Sequence, residues 1–248
     1  MRIFAHYFRI NWIMSCLLHI ETSTNVCSVA VSHDGTVIYE KEDFSGPNHA
    51  EKLGVYVDEA LSFIDNSLVP LDGVAVSSGP GSYTGLRIGV SMAKGICYGR
   101  DARLISVPTL ELLCVPVLLG EKVPEEVEGL GEPLLCPMLD ARRMEVYAGL
   151  WSRALKPVRE VGADIVTAET YREFLDSHPV WFFGSGAAKC METIGHPNAH
   201  LIPDIYPLAK YMMPLAERRF NAGMTEDVAY FTPSYLKDYV AKLPKKLL

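Results

Sequence analysis

The chain has 248 residues, a formal net charge of −7, an apolar fraction of 49 % and a charged fraction of 21 %. That length holds one large domain or two smaller ones with buried cores, and the balance is that of an ordinary globular protein. No stretch reaches the roughly 18–20 uninterrupted apolar residues of a membrane span, and an acidic chain has no general attraction to nucleic-acid phosphates, so any RNA contact is expected to come mostly from another subunit.

The opening MRIFAHYFRINWI does not read as a signal peptide, because His6, Arg9 and Asn11 interrupt its apolar run. Regular patterning begins at Leu17, just after Met14, which is expected to be the natural start, leaving residues 1–15 as an extension. Residues 17–21, 26–32 and 37–40 then read as three short strands, with Asp34-Gly35 as a hairpin turn between the last two. Asn48 and Glu51 are spaced as a capping box. Leu53, Val57, Ala60, Leu61 and Ile64 behind them make an apolar stripe at helical spacing. Residues 72–77 read as a buried strand, 79–81 as a glycine-proline turn, 84–99 as a second helix, 104–107 as a strand and 109–119 as a further helix. Residues 124–133, rich in Glu, Gly and Pro, read as a linker.

A similar order then returns. Residues 134–139, 145–151 and 160–166 read as strands, and Thr167 is placed to cap a helix running to about 177. A strand at 180–183 ends in Gly184-Ser185-Gly186, followed by helices to about 194 and over 208–221. The order strand-strand-strand-helix-strand-helix therefore occurs twice, and strands interleaved with helices imply mixed sheets with helices on their faces. The expected fold is α/β, a duplicated actin-like, sugar-kinase-like (ASKHA) architecture of two lobes. Residues 16–107 with about 223–248 form the first lobe, and 108–222 form the second. The six cysteines at 16, 27, 97, 114, 136 and 190 contain no CxxC pair and are expected to be reduced, buried thiols of a cytosolic protein.

Residues 77–99, SSGPGSYTGLRIGVSMAKGICYG, are the most informative stretch. Gly79, Gly81, Ser82, Thr84, Gly85 and Arg87 have the makings of an anion-binding turn, with glycine flexibility, helix-start amides, hydroxyls and a cation. The same turn also serves if its only task is to pack the helix on the sheet, and spacing alone leaves both readings open. In the helix, Leu86, Ile88, Val90, Met92, Ala93, Ile96 and Cys97 point to nearly every side. A helix apolar all round is expected to be covered on both faces, either by a partner protein or by the second lobe or tail.

The stretch SSGPGSYTGLRIGVSMAKG resembles the hallmark of the TsaB (YeaZ-like) family. LLHIETSTNVCSVAV, NHAEKL, LDARRMEVYAGL and FTPSYLKDYVAK are similar to other segments of that family. The resemblance covers nearly the whole chain from about Cys16. It implies a paralogue of TsaD, the subunit that transfers a threonylcarbamoyl group to the adenosine next to the tRNA anticodon. TsaD proteins hold a metal with a His-Leu-Glu-x-His helix start, for which this chain has Thr109-Leu110-Glu111-Leu112-Leu113. Two histidines at i and i+4 share one helix face, and Thr109 and Leu113 remove them. The implied role is a non-catalytic, cytoplasmic scaffold with no catalytic or metal-binding residue. It binds TsaD and the ATPase TsaE, pairs with itself in isolation, meets tRNA only indirectly and touches no membrane. No cofactor is expected on this chain alone, ATP and Mg being used by the complex. The helices at 48–64 and 84–99 are the implied contact, with Leu53, Tyr56, Val57, Ala60, Leu86, Val90, Ala93, Lys94 and Cys97 as interface residues.

Other constellations carry less. In active members of the wider superfamily a glycine-rich turn at the place of FFGSGAAKC holds adenosine, and here it is short. His196 and His200 form an HxxxH, but Gly195 and Pro197 argue for a loop. His49 reads as first-turn helix chemistry; Asp140 and Arg142 are placed either to neighbour a phosphate or to make a structural ion pair, and the structural pair is the expectation. An ASKHA-type kinase or ATPase would need an acidic residue for Mg²⁺, for which Glu21 is the candidate. A metallopeptidase of the glycoprotease type would need a zinc constellation that the sequence does not supply.

Overall fold

The computed structural model describes residues 15–46, 48–120 and 131–236. The proposed start at Met14, most of the 124–133 linker and the end of the C-terminal segment lie outside the described residues. The first half contains β1 (Cys16–Glu21), β2 (Cys27–His33), β3 (Thr36–Asp43), α1 (His49–Asn66), β4 (Gly73–Gly79), α2 (Tyr83–Arg100) and β5 (Arg103–Pro108). After α3 (Thr109–Leu118) come β6 (Leu134–Asp140), β7 (Glu145–Trp151), β8 (Pro157–Ile165), α4 (Arg172–Leu175), β9 (Val180–Phe183), α5 (Met191–Ile194), β10 (Ala199–Ile202) and α6 (Met213–Asn221).

The two five-stranded sheets have the orders β3-β2-β1-β4-β5 and β8-β7-β6-β9-β10. In each, the first three strands pair antiparallel as a meander, and the first strand pairs parallel with the fourth, which pairs parallel with the fifth. This is one topology built twice, the duplicated actin-like arrangement that the repeated order of elements anticipates. The β2–β3 turn is tight because Asp34 and Gly35 both adopt left-handed angles, φ 51° and 69°.

α1 and α2 cover one face of the first sheet, burying Leu53, Val57, Ala60, Val90, Ala93 and Cys97 against strand residues such as Ile20, Val29 and Val76. α3 is buried along nearly its whole length because it is wedged between the sheets. Leu112 and Val115 pack with Ala75 and Ile105 of the first sheet and with α6. Leu110, Leu113, Cys114 and Val117 pack with Leu135 and Trp181 of the second. Arg218 and Arg219 of α6 clasp the Glu111 carboxylate at 2.8 and 2.9 Å, tying the two helices together. All six cysteines are free and buried, and no helix among the described residues is long and apolar enough to cross a membrane.

Several local expectations are corrected. Asn48 precedes α1, but its side chain makes no cap bond and instead donates to Ser45 at 3.2 Å, so no capping box forms. The helix expected over 167–177 shrinks to α4, because the Thr167 N–H bonds the Thr170 hydroxyl at 2.8 Å in a local turn. The expected helix over 208–221 splits into a 3₁₀ turn, Ala209–Met212, and α6. β10 was not expected at all.

Candidate docking face and cleft

Two surfaces meet at α2. The helix starts cleanly because Ser82 caps it, its Oγ accepting from Gly85 N at 3.2 Å. Its first turns lie directly on the β1–β2 turn. The Thr22 hydroxyl donates to the Gly85 carbonyl at 2.8 Å, and a methyl group on Gly85 or Gly89 would overlap Thr22. These glycines are therefore required by close packing.

The opposite face of α2 has no such cover among the described residues. Ile88 and Met92 are half-buried, Ser91, Gly95 and Gly99 are exposed, and Tyr98 is 88 % exposed. With Leu61 of α1, the residues Ile88, Ser91, Met92, Gly95 and Gly99 edge an open groove of about 860 Å³. A Cβ on Gly95 or Gly99 would meet nothing within 4 Å, so nothing inside the chain requires glycine there.

The residues expected at the interface fall mostly elsewhere. Leu53, Val57, Ala60, Leu86, Val90, Ala93 and Cys97 are at most 4 % exposed and fill the chain's own core, so they do not form a surface. Tyr56 is partly buried against the same core. Lys94 turns away from the groove and donates to the carbonyls of Ala229 (2.9 Å) and Phe231 (3.1 Å), pinning the strap of residues 224–236 to α2. The stripe that helical spacing marks most strongly is thus the inner one. Of the outer residues, Ile88 and Met92 were legible as a second apolar side of the same helix, whereas Ser91 and Tyr98 carried no signal in the sequence.

The second surface is a cleft of about 990 Å³ between the two halves. The β1–β2 turn, the start of α2, the β6–β7 turn and the end of the strap line it. Glycine-turn residues Gly81, Ser82 and Thr84 border it. Gly79 instead packs under the strap, where a Cβ would lie 2.5 Å from the Ser234 carbonyl. Arg87 lines the groove, with its guanidinium on the Tyr83 hydroxyl at 3.0 Å. The candidate anion turn is thus divided between structural packing and two different surfaces.

Glu21, the candidate Mg²⁺ carboxylate, is fully buried. It accepts from the Ser77 hydroxyl and from Ser23 N at 2.5 Å, and burial pushes its pKa up to about 8. A carboxyl that favours its neutral form and has no open face is a poor ligand for a hard cation. Asp140 is held by Lys189 at 2.6 Å and by Arg142 N at 2.8 Å. Thr109 and Leu113 are buried. His49 bonds the Thr24 carbonyl at 2.7 Å and so steadies the β1–β2 turn. His196 lies in a turn, bonded to Asn198 N and facing Asp176, while His200 sits on β10. Among the described residues, no group of three or more His, Cys, Asp or Glu is arranged to hold a metal ion.

Comparison with known proteins bears on the whole arrangement. A family model described as "TsaD: tRNA N6-adenosine threonylcarbamoyltransferase" matches residues 43–245. The tRNA threonylcarbamoyladenosine biosynthesis protein TsaB of Haemophilus influenzae is 30 % identical over 241 residues, which span 92 % of this chain and 97 % of that one. The protein of the same name from Escherichia coli is 28 % identical over 238 residues, 93 % and 99 % of the respective chains. Among solved structures, a Pseudomonas aeruginosa protein described as similar to peptidase YeaZ superposes with a TM-score of 0.74 at 23 % identity. It covers 90 % of this chain and 100 % of that one. A structure of YeaZ from the same organism gives 0.68 with the same identity and coverage. These two share the fold.

Proposed function

Since the chain belongs to the TsaB family, we propose that it serves tRNA threonylcarbamoyladenosine biosynthesis as a non-catalytic scaffold that docks a TsaD-type subunit through the outer face of α2 and the adjoining edge of α1. The observation that carries this reading is the exposed apolar face of α2. Its inner stripe is already packed, yet Ile88 and Met92 remain only half-buried along the groove, and Tyr98 of the same helix is exposed. A contiguous apolar patch of that kind marks an interaction surface. In isolation the same face pairs two copies of this chain, and in the full assembly a TsaE-type ATPase joins, bringing the ATP and Mg²⁺ chemistry. The contact with tRNA is made mainly by the other subunits, in keeping with the net charge of −7.

The non-catalytic part of the reading rests on replaced and sequestered groups. Thr109 and Leu113 stand where the resemblance places metal-binding histidines, and Glu111 between them is clasped by Arg218 and Arg219. Glu21 is buried beneath Ser77. The test is reconstitution of threonylcarbamoyl transfer to tRNA with the same organism's TsaD and TsaE, with and without this chain. Transfer that depends on this chain, with no ATP hydrolysis or bound stoichiometric metal in the chain alone, supports the reading. Transfer at the same rate without it, or hydrolysis by the isolated chain, overturns it.

A further inference from the structure

The groove beside α2 is mostly apolar, but it is not neutral. Two arginines, Arg87 and Arg100, line it, and no carboxylate does. Arg100, at the C-terminal end of the helix, is neutralised within the chain, its two terminal nitrogens reaching the Asp65 carboxylate at 2.6 and 2.9 Å. Arg87 lies near the start of the helix and is exposed. Among the described residues it has no carboxylate partner, and its one hydrogen bond is to a tyrosine.

That tyrosine holds the charge in place. A guanidinium nitrogen of Arg87 donates to the Tyr83 hydroxyl at 3.0 Å, and Cζ stands 5.3 Å from the Tyr83 ring centroid. The Tyr83 ring packs in turn on Tyr235 of the strap, centroids 4.8 Å apart. The strap is tied down beside it by the Ser234 N–H on the Ser78 carbonyl at 2.7 Å. A hydroxyl takes up one of the five guanidinium donors and none of the charge. A planar cation held in one place with donors to spare loses little freedom on meeting a carboxylate, whose two oxygens match its fork.

Self-pairing leaves this charge without a counter-ion. A two-fold contact brings the same patch together from both copies, and a groove with two arginines and no lining carboxylate offers its copy no free anion, Asp65 being committed to Arg100. Covering an unpaired cation is unfavourable, whereas a partner that brings a carboxylate removes the penalty. We propose that Arg87 is the ionic anchor of the docking face, pairing with an aspartate or glutamate on the helix of the TsaD-type partner that fills the groove, and that this pair favours the partner over a second copy of this chain. The inference rests on the docking reading and deepens it. The apolar face supplies affinity, and Arg87 supplies the choice between occupants.

The test uses the full chain and the same organism's TsaD. Affinity is measured by titration calorimetry at about 0.1 M and about 1 M NaCl, between which the screening length falls from about 10 Å to about 3 Å. Self-association is measured by sedimentation equilibrium. Arg87→Gln, which keeps a donor and removes the charge, weakens TsaD binding about tenfold at the lower salt and much less at the higher. Arg87→Glu weakens it further, because it faces the partner's carboxylate with a like charge. Neither variant weakens self-association, which damage to the helix or the strap would. Wild-type affinity in Arg87→Gln, a loss that is the same at both salts, or an equal loss in self-association overturns the proposal. The double variant Ile88→Glu, Met92→Glu separates it from the docking reading. Lost binding there with wild-type affinity in Arg87→Gln overturns the anchor alone, and wild-type affinity in the double variant overturns both.

Discussion

Replacing Gly95 by alanine is expected to stabilise the isolated chain and to weaken its attachment to a TsaD-type partner. Gly95 lies inside α2, its φ is not left-handed, and an added Cβ would meet nothing within 4 Å. Alanine at such a helix position gains about 1 kcal/mol over glycine, which in a chain of this size raises Tm by roughly 2–4 °C. The new methyl points into the groove, where a docked helix would approach. Keeping that helix farther from the α2 backbone is expected to cost about 1.4 kcal/mol, or tenfold in Kd. Thermal denaturation of the isolated chain and calorimetric titration with TsaD read the two effects separately. Gly89→Ala is the control: its methyl overlaps Thr22, and overpacking of this kind destabilises by about 2 kcal/mol. Unchanged affinity in Gly95→Ala, or a loss of stability like that of Gly89→Ala, would refute the claim that the glycine exists for an external contact.

Three further outcomes follow from the interior. Glu21 titrates near pH 8 in the folded chain against 4.5 ordinarily, so between those values the folded state holds a proton that the unfolded state has lost. Stability therefore falls as pH rises through that window, by up to about 1.4 kcal/mol per pH unit. Glu21→Gln should flatten this slope in urea denaturation at pH 5.5, 7 and 8.5. Lys94→Met removes both charged hydrogen bonds to the strap. A loss of about 2 kcal/mol and faster exchange of the Ser234 amide, which bonds Ser78 O at 2.7 Å, are expected. Asp164 receives both nitrogens of Arg159 and the Tyr171 hydroxyl at 2.7 Å. Because Arg159 is partly open to solvent, Asp164→Asn should cost about 2 kcal/mol in a urea midpoint, less than a fully buried pair.

The duplicated architecture was legible because it rests on order. Two meanders, each followed by alternating helices and strands, survive errors of several residues at each boundary. What failed was local. β10 is four residues long and, among the described residues, pairs only with β9, and its Ala-His-Leu-Ile has too little alternation to stand out beside Pro197. Thr167 looked like a helix cap because threonine suits both caps and turns, and here the turn prevailed through Thr170. The docking face shows the main limit of pattern reading. Helical spacing finds the strongest apolar stripe, and in α2 that stripe, Leu86, Val90, Ala93 and Cys97, belongs to the core. The weaker stripe facing outward is separable only once the sheet beneath the helix is known. Tertiary contact also reassigned Lys94, whose ammonium finds carbonyls 135 and 137 residues away along the chain.

The central claim is that the outer face of α2 is the docking surface, and it is tested most directly by the affinity of this chain for the same organism's TsaD when Ile88 and Met92 are both changed to glutamate. Both side chains border the groove and are only partly buried, so the fold and its circular dichroism should be retained. Two charges facing an apolar partner should weaken binding at least a hundredfold, about 2.7 kcal/mol, and abolish transfer that depends on this chain. Wild-type affinity in the folded double variant would contradict the account and place the partner elsewhere on the molecule.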